Sequence, residues 1–399
     1  MPIRTTPFPP RPPRFGEEEI QIIRTALNKN TLWYWQQNSV VKQSVDAVAK
    51  QFGANYAVAT SSGTASIHVV IAASQIRPGM EVITTPITDM GTINAILYQN
   101  LIPVFADVNP DSALLTVDTI RTAVTDRTRA VVVVHLTGCP ADIAPIADFC
   151  KASNLTLIED CAQALGATYQ GQHVGTFGDF GCYSLNDQKH ITSGEGGFVL
   201  TQTEERFYLC HNYADKYHDR HRRGVLLHAL APNYRMSEID GAMFLVQLPK
   251  LKAIIDKRRA LGRSLTQQIR QIPGIIPQAQ PQQVEESYFF YLFRVDTERL
   301  RMSRDEFLAR LRAEGIPASG AYVNVPMYKS FYFSNKTFFP DGVWPAEIVS
   351  GRSYDYNKVN LPGAELAVAT GVSLTLHEGF SNQDISDYVN AIVKVAGMG

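Results

Sequence analysis

The stretch SLNDQKHITSGEGG, residues 184–197, contains one lysine, Lys189, directly before a histidine and a turn with three glycines. A lysine in such a loop can hold a phosphate, lie in solvent, or act as a nucleophile when a dry or cationic site lowers its pKa. Ser184 stands at the start of the stretch, at the end of an apolar segment. The stretch alone leaves these three interpretations of Lys189 open.

A second candidate lies in SSGT, residues 61–64, between the apolar segment YAVAT and a helical pattern. Gly63 would let the backbone approach a ligand closely, and the N–H groups at the start of the helix would attract an anion. The spacing differs from the GxxxxGK[ST] nucleotide-binding loop, which occurs nowhere in the chain. A plain helix cap followed by a turn would explain the same residues.

A third candidate is Asp160, which ends the apolar segment LTLIED. A carboxylate at the end of a buried strand is costly unless it meets a cation or hydrogen-bond donors. Asp160 therefore either caps the helix that follows or pairs with a protonated ring nitrogen of a ligand. Gln163 comes one helical turn later and could flank the same ligand.

Together these residues meet the needs of pyridoxal phosphate (PLP). That cofactor requires donors for its phosphate, an acid that keeps its pyridine nitrogen protonated, and a lysine for a Schiff base. A nicotinamide cofactor would instead require GxGxxG after an early strand, and the nearest segment, GTFGDFG, has the wrong spacing. The combination therefore favours PLP, although no single feature does.

Alternating strand and helix patterns position these candidates. Strands that alternate with helices of ten or more residues indicate an α/β fold with a mostly parallel sheet, and ligands bind at the carboxyl ends of its strands. The predicted strands are YAVAT (56–60), EVITTP (81–86), IPVFADV (102–108), RAVVVVHLT (129–137), LTLIED (155–160), DFGCYSL (179–185) and GGFVLTQ (196–202).

The chain is too long for one ordinary core, so a division into domains is expected. We expect an N-terminal arm and helix over residues 1–30, a large cofactor-binding domain over 31–250, and a smaller α+β domain over 251–399. The arm is proline-rich, and a long polar-faced helix predicted over 247–272 would lead into the small domain.

Composition argues against several classes of partner. Of the 399 residues, 45% are apolar and 19% charged, with a formal net charge of −1, so no basic surface for nucleic acid is expected. No run of 18 apolar residues and no signal-peptide pattern is present, which predicts no membrane association. The five cysteines lack CxxC spacing, and the histidines of YHDRHRR (217–223) are interpreted as part of a basic loop, so no metal site is predicted. A cytoplasmic, reducing location is expected.

The order and spacing of many blocks resemble the DegT/DnrJ/EryC1/StrS aminotransferases, the sugar-aminotransferase branch of the fold-type I PLP-dependent transferases. The resemblance extends over nearly the whole chain and implies a large PLP-binding domain, a smaller C-terminal domain, and a homodimer with shared active sites. The matching blocks include SSGTAS, PGMEVITTP, PVFADV, EDCAQALGATYQGQHVGTFGDFGCYSL, HITSGEGG and NYRMSEIDGA.

Roles for individual residues follow from this resemblance, position by position. Lys189 matches the Schiff-base lysine, Asp160 the carboxylate that pairs with the pyridinium nitrogen, and Gln163 the glutamine beside the cofactor ring. Asn233 matches an asparagine that reaches the cofactor phosphate of the neighbouring subunit. Lysine at position 189 also separates this chain from the dehydratases of the family, which carry histidine there. The phosphate-binding positions are matched by Gly63, Thr64 and Ser184.

Two positions depart from the family pattern. Asp89 falls where relatives commonly stack an aromatic ring on the cofactor, so we count it among the cofactor contacts. It could hold a substrate hydroxyl, tune the cofactor, or be a solvated turn residue. The connector LWYWQQN replaces a glycine-containing turn, and Trp33 or Trp35 could line the substrate pocket or serve only in packing.

The resemblance implies an aminotransferase with ping-pong kinetics. Lys189 would bind the cofactor and, once freed, carry protons as general base and acid. Glutamate or glutamine would be the amino donor, and the acceptor would be a cyclic ketone, with a nucleotide-linked keto-deoxysugar as the expected class and a cyclitol ketone (an inosose) as the alternative. A PLP-dependent dehydratase or aromatising enzyme, and a non-catalytic sensor that keeps the fold, are further alternatives. An intact Lys189 and Asp160 count against the sensor.

Overall fold

The computed structural model describes residues 1–221 and 229–397. The helices before residue 250 are α1 (Glu17–Asn28), α2 (Val40–Phe52), α3 (Gly63–Ala73), α4 (Met90–Tyr98), α5 (Val117–Ala123), α6 (Ile143–Ala152), α7 (Glu204–Ala214) and α8 (Glu238–Gln247). The later helices are α9 (Leu251–Ile269), α10 (Thr297–Leu300), α11 (Arg304–Ala313), α12 (Phe331–Ser334), α13 (Pro345–Ser350), α14 (Pro362–Thr370) and α15 (Asn382–Val395).

The strands belong to three sheets. Those before residue 250 are β1 (Tyr56–Thr60), β2 (Glu81–Thr84), β3 (Ile102–Phe105), β4 (Thr128–Val134), β5 (Thr156–Asp160), β6 (Thr168–Tyr169), β7 (Gln172–His173), β8 (Phe180–Ser184) and β9 (Gly197–Thr201). The later strands are β10 (Ile275–Pro277), β11 (Val284–Glu285), β12 (Tyr291–Val295), β13 (Ala318–Gly320) and β14 (Gly371–Leu374).

Within the described residues, the central sheet has seven strands in the order β1-β9-β8-β5-β4-β2-β3. Strand β9 runs antiparallel to both of its neighbours, and the other pairings are parallel. Each of the seven strands predicted from the sequence is present, and the α/β fold class is confirmed. The short strands β6, β7 and β11, which form a small separate sheet, were not predicted.

Helices cover both faces of the central sheet. On β4, Ala130 and Val132 contribute to one apolar core while Val131 and Val133 contribute to another, because successive side chains of a strand point to opposite faces. Helix α3 is buried along nearly its whole length, and only Thr64 is partly exposed. The unbroken apolar runs of the sequence therefore correspond to strands buried on both faces.

The C-terminal part of the chain forms a second sheet, which is antiparallel and has the strand order β10-β12-β14-β13. Helices α9, α11 and α15 share an apolar core with this sheet. An aromatic segment from Met327 to Leu361 packs against the edge strand β3, where the hydroxyl of Tyr356 donates to the carbonyl of Pro103 at 2.7 Å. The division of the chain at residues 30 and 250 stays a prediction.

The proline-rich arm lies against the C-terminal core. Arg4 forms ion pairs of 2.7 Å with both Asp384 and Asp387, and the ring of Phe8 stacks on Phe380 with centroids 5.2 Å apart. Helix α1 follows and ends at Asn28, two residues before the predicted end. The arm is therefore anchored at its N-terminal end.

Two expectations from composition can be compared with the structure. All five cysteines, which lie in the described part of the chain, are buried and free. Among the described helices, none combines the length and apolar character that crossing a bilayer requires.

Candidate active site

A cavity of about 300 Å³ lies where β1, β2, β4, β5 and β8 end. Its position follows the rule that a parallel sheet binds ligands beyond the carboxyl ends of its strands. The structure thus brings together residues that are far apart in the sequence. The predicted site residues that line it are Gly63, Thr64, Asp89, Asp160, Gln163, Ser184 and Lys189.

Asp160 ends β5 and is 4% exposed. Its Oδ2 accepts a hydrogen bond of 2.7 Å from Thr92 Oγ1, and its Oδ1 accepts one of 3.1 Å from the N–H of Ala162. Burial raises the pKa of the Asp160 carboxyl, and these two hydrogen bonds and the charge of Lys189 offset only part of that effect. A buried carboxyl of this kind would be stabilised as an anion by a cationic ligand group.

Lys189 lies in a turn after β8, where its N–H donates to the carbonyl of Asn186 at 2.9 Å. Its Nζ is 4.5 Å from the centroid of the Phe289 ring and forms no ion pair with the described residues. Burial lowers the pKa of the Lys189 amine, against the raising effects of Asp160 and Asp89. A lowered pKa increases the fraction of neutral amine, which is the nucleophilic form. Lys189 is half-buried and lines the cavity, which argues against the interpretation as a solvated surface lysine.

The N-terminal arm holds the turn that carries Lys189. The guanidinium of Arg11 donates to the carbonyl of Gln188 at 3.0 Å, and that of Arg14 donates to the carbonyl of Asp187 at 2.7 Å. Both contacts go to backbone atoms, so they fix the path of the turn rather than one side chain. The arm therefore links the C-terminal core to the segment directly before Lys189.

The start of α3 carries groups that an anion requires. Ser62 caps the helix by accepting a hydrogen bond of 3.0 Å from the N–H of Ala65, and the N–H groups of Gly63 and Thr64 precede the first intrahelical bonds. A Cβ added at Gly63 would lie 2.8 Å from the Cβ of Ser184, so glycine allows the two segments to touch. The hydroxyls of Thr64 and Ser184 flank the helix end, and together these groups suit a phosphate.

Gly63→Ala is expected to weaken PLP binding by about tenfold or more, because the added Cβ must push Ser184 away from the phosphate position. The dissociation constant can be measured by titrating cofactor-free protein with PLP. As a control, Gly16→Ala adds a Cβ whose one neighbour, the Glu19 carboxylate, is 3.9 Å away. Equal affinities of the wild type and Gly63→Ala would contradict this assignment.

Gln163 is oriented by a strained backbone position. Its Oε1 accepts a hydrogen bond of 2.8 Å from the N–H of Thr137, so the side-chain NH₂ is the end available as a donor to the cavity. Thr137 has φ +68°, which is unfavourable for a β-branched residue, and its hydroxyl donates to Gln278 at 2.8 Å. Such strain is typical of functional sites.

Ten of the lining residues were not predicted as site residues from the sequence, and three of them, Ser62, Thr92 and Tyr322, bring hydroxyl groups to the cavity. Ser62 belongs to the SSGT block but was not singled out, and Thr92 lies one helical turn after Asp89. Tyr322 follows β13 in the C-terminal part and stacks on Phe290, with ring centroids 5.8 Å apart. No local pattern identifies Tyr322, because its position depends on how the second sheet packs against the first.

Asn233 does not line the cavity. Its side chain is exposed, and its backbone pairs with that of Asp215.

Trp35 lies in the same region and donates from Nε1 to Asp215 Oδ2 at 3.0 Å, whereas Trp33 is half exposed. Neither tryptophan lines the cavity within this chain. Residues 222 and 223 of YHDRHRR lie outside the described part, and His221 packs against Trp35 with centroids 5.1 Å apart.

A buried trio of His135, Glu159 and Cys161 brings its potential metal-ligating atoms within 4.8 Å of one another. These atoms have other partners: His135 Nδ1 accepts from the N–H of Ala141 at 3.0 Å, and its Nε2 lies 3.1 Å from the Glu159 carboxylate. That carboxylate also accepts from the backbone N–H groups of Gly175, Phe177 and Gly178. The trio therefore organises the turn before β8.

The residues of the cavity fit PLP. Asp160 is a buried carboxyl without a cationic partner in contact, Lys189 is half-buried with an amine that forms no ion pair among the described residues, and the start of α3 offers free N–H groups. These are the three kinds of group that the ring nitrogen, the aldehyde carbon and the phosphate of PLP require. The cavity thus supports the cofactor that the sequence predicted.

Comparison with known proteins places this geometry in a family. A Micromonospora echinospora protein, provisionally named L-glutamine:3-amino-2,3-dideoxy-scyllo-inosose aminotransferase, is 34% identical over 99% of this chain and 95% of its own length. A Streptoalloteichus tenebrarius protein with the same provisional name is 31% identical over 84% of this chain and 81% of its own.

Solved structures and the family pattern agree with these relatives. The X-ray structure of the aminotransferase from Psychrobacter cryohalolentis superposes with a TM-score of 0.85 at 28% identity, covering 98% of both chains. Residues 13–393 match the model of the DegT/DnrJ/EryC1/StrS aminotransferase family. The fold is that of fold-type I PLP-dependent aminotransferases. The chain therefore belongs to the DegT/DnrJ/EryC1/StrS family and is a PLP-dependent aminotransferase.

Proposed function

We propose that this enzyme transfers an amino group from an amino-acid donor to the ketone of a polyhydroxylated six-membered ring, with a cyclitol ketone as the acceptor. The half-buried Lys189, in one cavity with the buried carboxyl of Asp160, is the observation that carries amino transfer. The names of the two relatives, which refer to an amino-inosose, support the cyclitol over the nucleotide-linked keto-deoxysugar that the sequence favoured.

PLP, when bound, supplies the conjugated ring that withdraws electrons from the carbon being deprotonated. Asp160 would hold a proton on the ring nitrogen, which keeps the ring electron-withdrawing. Lys189 would bind the cofactor in the resting enzyme and, once displaced by the donor, carry the proton at Nζ to and from the reacting carbon. The Gln163 NH₂ would donate a hydrogen bond toward the cofactor ring. Two successive half-reactions then share one cavity.

A direct assay would measure both half-reactions. The enzyme loaded with PLP is expected to lose its cofactor absorbance with glutamine or glutamate and to regain it with scyllo-inosose or an amino-inosose. A nucleotide-linked 4-keto-deoxysugar serves as the competing acceptor. Recovery with the nucleotide sugar alone would overturn the cyclitol assignment, and recovery with no cyclic ketone would overturn amino transfer to a ring.

We also propose a homodimer in which Asn233 of one subunit completes the site of the other. Its support is the position of Asn233, which is exposed and outside the cavity of its own chain although its motif matches a phosphate-binding asparagine. Leu230, three residues before Asn233, is an exposed apolar side chain, and Trp33 is half exposed; such side chains suit a surface that a second copy covers.

Mixing inactive variants tests this arrangement. Lys189→Ala and Asn233→Ala, each impaired alone, are expected to regain about one quarter of wild-type activity after co-refolding, because each mixed dimer would contain one intact site. Activity of the mixture can be followed after subunit exchange. If Lys189 and Asn233 acted within one chain, or if the enzyme were monomeric, the mixture would stay at the level of the separate variants.

A further inference from the structure

The carboxylate of Asp89 lies at the exposed rim of the cavity. Asp89 is the N-cap of α4, and its Oδ1 accepts a hydrogen bond of 2.7 Å from the N–H of Gly91. Oδ1 of Asp89 therefore makes the capping hydrogen bond, and Oδ2 is available to a ligand. The charge of Asp89 raises the pKa of the Asp160 carboxyl and that of the Lys189 amine, so it is felt in the interior of the cavity.

The charges that line the cavity are unbalanced. The acidic side chains are those of Asp89, Asp160 and Glu195, and among the described lining residues Lys189 is the one cation. Asp160 lies inside, where it would pair with the cofactor ring, and Glu195 Oε1 accepts from the side chain of Asn186 at 2.8 Å. The open part of the cavity, left for the substrate, is therefore negative on the side of Asp89.

Tyr322 lies close to the same carboxylate. Its ring is held against Phe290 at an interplanar angle of 14°, and Tyr322 lines the cavity together with Asp89 and Gln163. Burial and the charge of Asp89 raise the pKa of Tyr322, so it stays a neutral hydroxyl that can donate to an oxygen. The rim thus pairs a strong acceptor with a neutral donor.

Amino transfer requires that the reacting carbon of either substrate lie at Lys189, so the remainder of each substrate must occupy the rest of the one cavity. The two amino-acid donors differ in the end of their side chain, which is a neutral amide in glutamine and a second carboxylate in glutamate. For the ring acceptor, the remainder consists of its hydroxyl or amino groups. A carboxylate such as Asp89 accepts N–H and O–H donors, while a like charge beside it is strongly disfavoured.

We propose that Asp89, together with Tyr322, selects the amino donor: Asp89 accepts a hydrogen bond from the side-chain amide of glutamine and excludes the side-chain carboxylate of glutamate. This inference rests on the proposed amino transfer and specifies its donor. The donor would be oxidised by two electrons to its keto acid, and bound PLP would receive both these electrons and the α-amino nitrogen. In the second half-reaction the same carboxylate accepts from the O–H or N–H groups of the ring.

Asp89→Asn separates this role from helix capping. Asparagine caps a helix about as well as aspartate and has nearly the same shape, so the substitution keeps the cap while it removes the charge and replaces one acceptor oxygen with an NH₂ donor. Asp296→Asn is the matched control. Asp296 also caps a helix, with an Oδ1 that accepts a hydrogen bond of 3.0 Å from the backbone N–H of Arg299, and it lies outside the cavity.

The experiment measures kcat/KM of the donor half-reaction for glutamine and for glutamate with PLP-loaded enzyme. Wild type and Asp296→Asn are expected to prefer glutamine, and Asp89→Asn is expected to lower the glutamine-to-glutamate ratio by about tenfold or more, mainly through faster reaction of glutamate.

An unchanged ratio in Asp89→Asn, or a wild-type preference for glutamate, would overturn the role of Asp89 and leave the proposed amino transfer intact. No reaction of wild type with either donor would instead overturn the proposed function. Retention of the bound-cofactor absorbance by Asp89→Asn shows that the variant is folded, and Asp89→Ser, which also keeps a capping oxygen, provides an independent second variant.

Discussion

Lys189→Ala is expected to lower kcat by about 10,000-fold, because it removes the group that both binds the cofactor and carries the proton in each half-reaction. Lys189 lies over the Phe289 ring, and no other lysine among the described residues lines the cavity, so none is placed to replace it. Steady-state turnover with glutamine and a cyclic ketone measures the loss. Small external amines such as methylamine should restore part of the activity by entering the space that the side chain leaves.

The control for this change is Lys151→Ala, which removes an exposed lysine near the end of α6. It should turn over at the wild-type rate. A Lys189→Ala enzyme that retained a tenth of wild-type activity would show that another group does the chemistry.

Asp160→Asn is expected to lower kcat by about 100- to 1000-fold, because a neutral amide cannot hold the proton on the cofactor ring that a buried carboxylate would. The amide oxygen can still accept from Thr92 or Ala162, so the cavity should keep its shape. Turnover should therefore fall while PLP still binds. Unchanged turnover in Asp160→Asn would refute the pairing of this carboxyl with the ring nitrogen.

The same substitution should not destabilise the cofactor-free protein. Burial raises the folded-state pKa of Asp160, so the folded chain binds this proton more tightly than the unfolded chain does. The free energy of unfolding therefore falls as pH rises from the unfolded carboxyl value, about 4, to the raised folded value. Removing the carboxyl should leave the melting temperature at neutral pH equal or higher, and a clear decrease would indicate a structural role for the anion.

The sequence predicted the central sheet well because its strands are short, unbroken apolar runs buried on both faces, as in β4. It also predicted that SSGT, Asp160 and Lys189 would meet, since parallel strands place their carboxyl ends at one edge. The structure adds partners that no local pattern reveals. Thr92 donates to Asp160 from helix α4, and Tyr322 reaches the cavity from the C-terminal part of the chain, just after β13.

Two sequence interpretations concern residues that lie outside the cavity of this chain. Asn233 lies outside the cavity, and Trp33 and Trp35 lie apart from the predicted site residues. The local sequence of the two tryptophans is compatible both with packing inside the chain and with an interface, because aromatic residues suit both environments. The left-handed backbone of Thr137 was also beyond sequence reasoning, since a β-branched residue ordinarily avoids that conformation.

The most direct test is to reduce the PLP-loaded enzyme with borohydride, digest it, and locate the modified lysine by mass spectrometry. We expect the cofactor to be attached to Lys189, and we expect glutamine added before the reduction to remove this label because the donor frees the lysine. Attachment to a different lysine, or a label at Lys189 that no amino donor diminishes, would contradict the assignment of this cavity as the site of amino transfer.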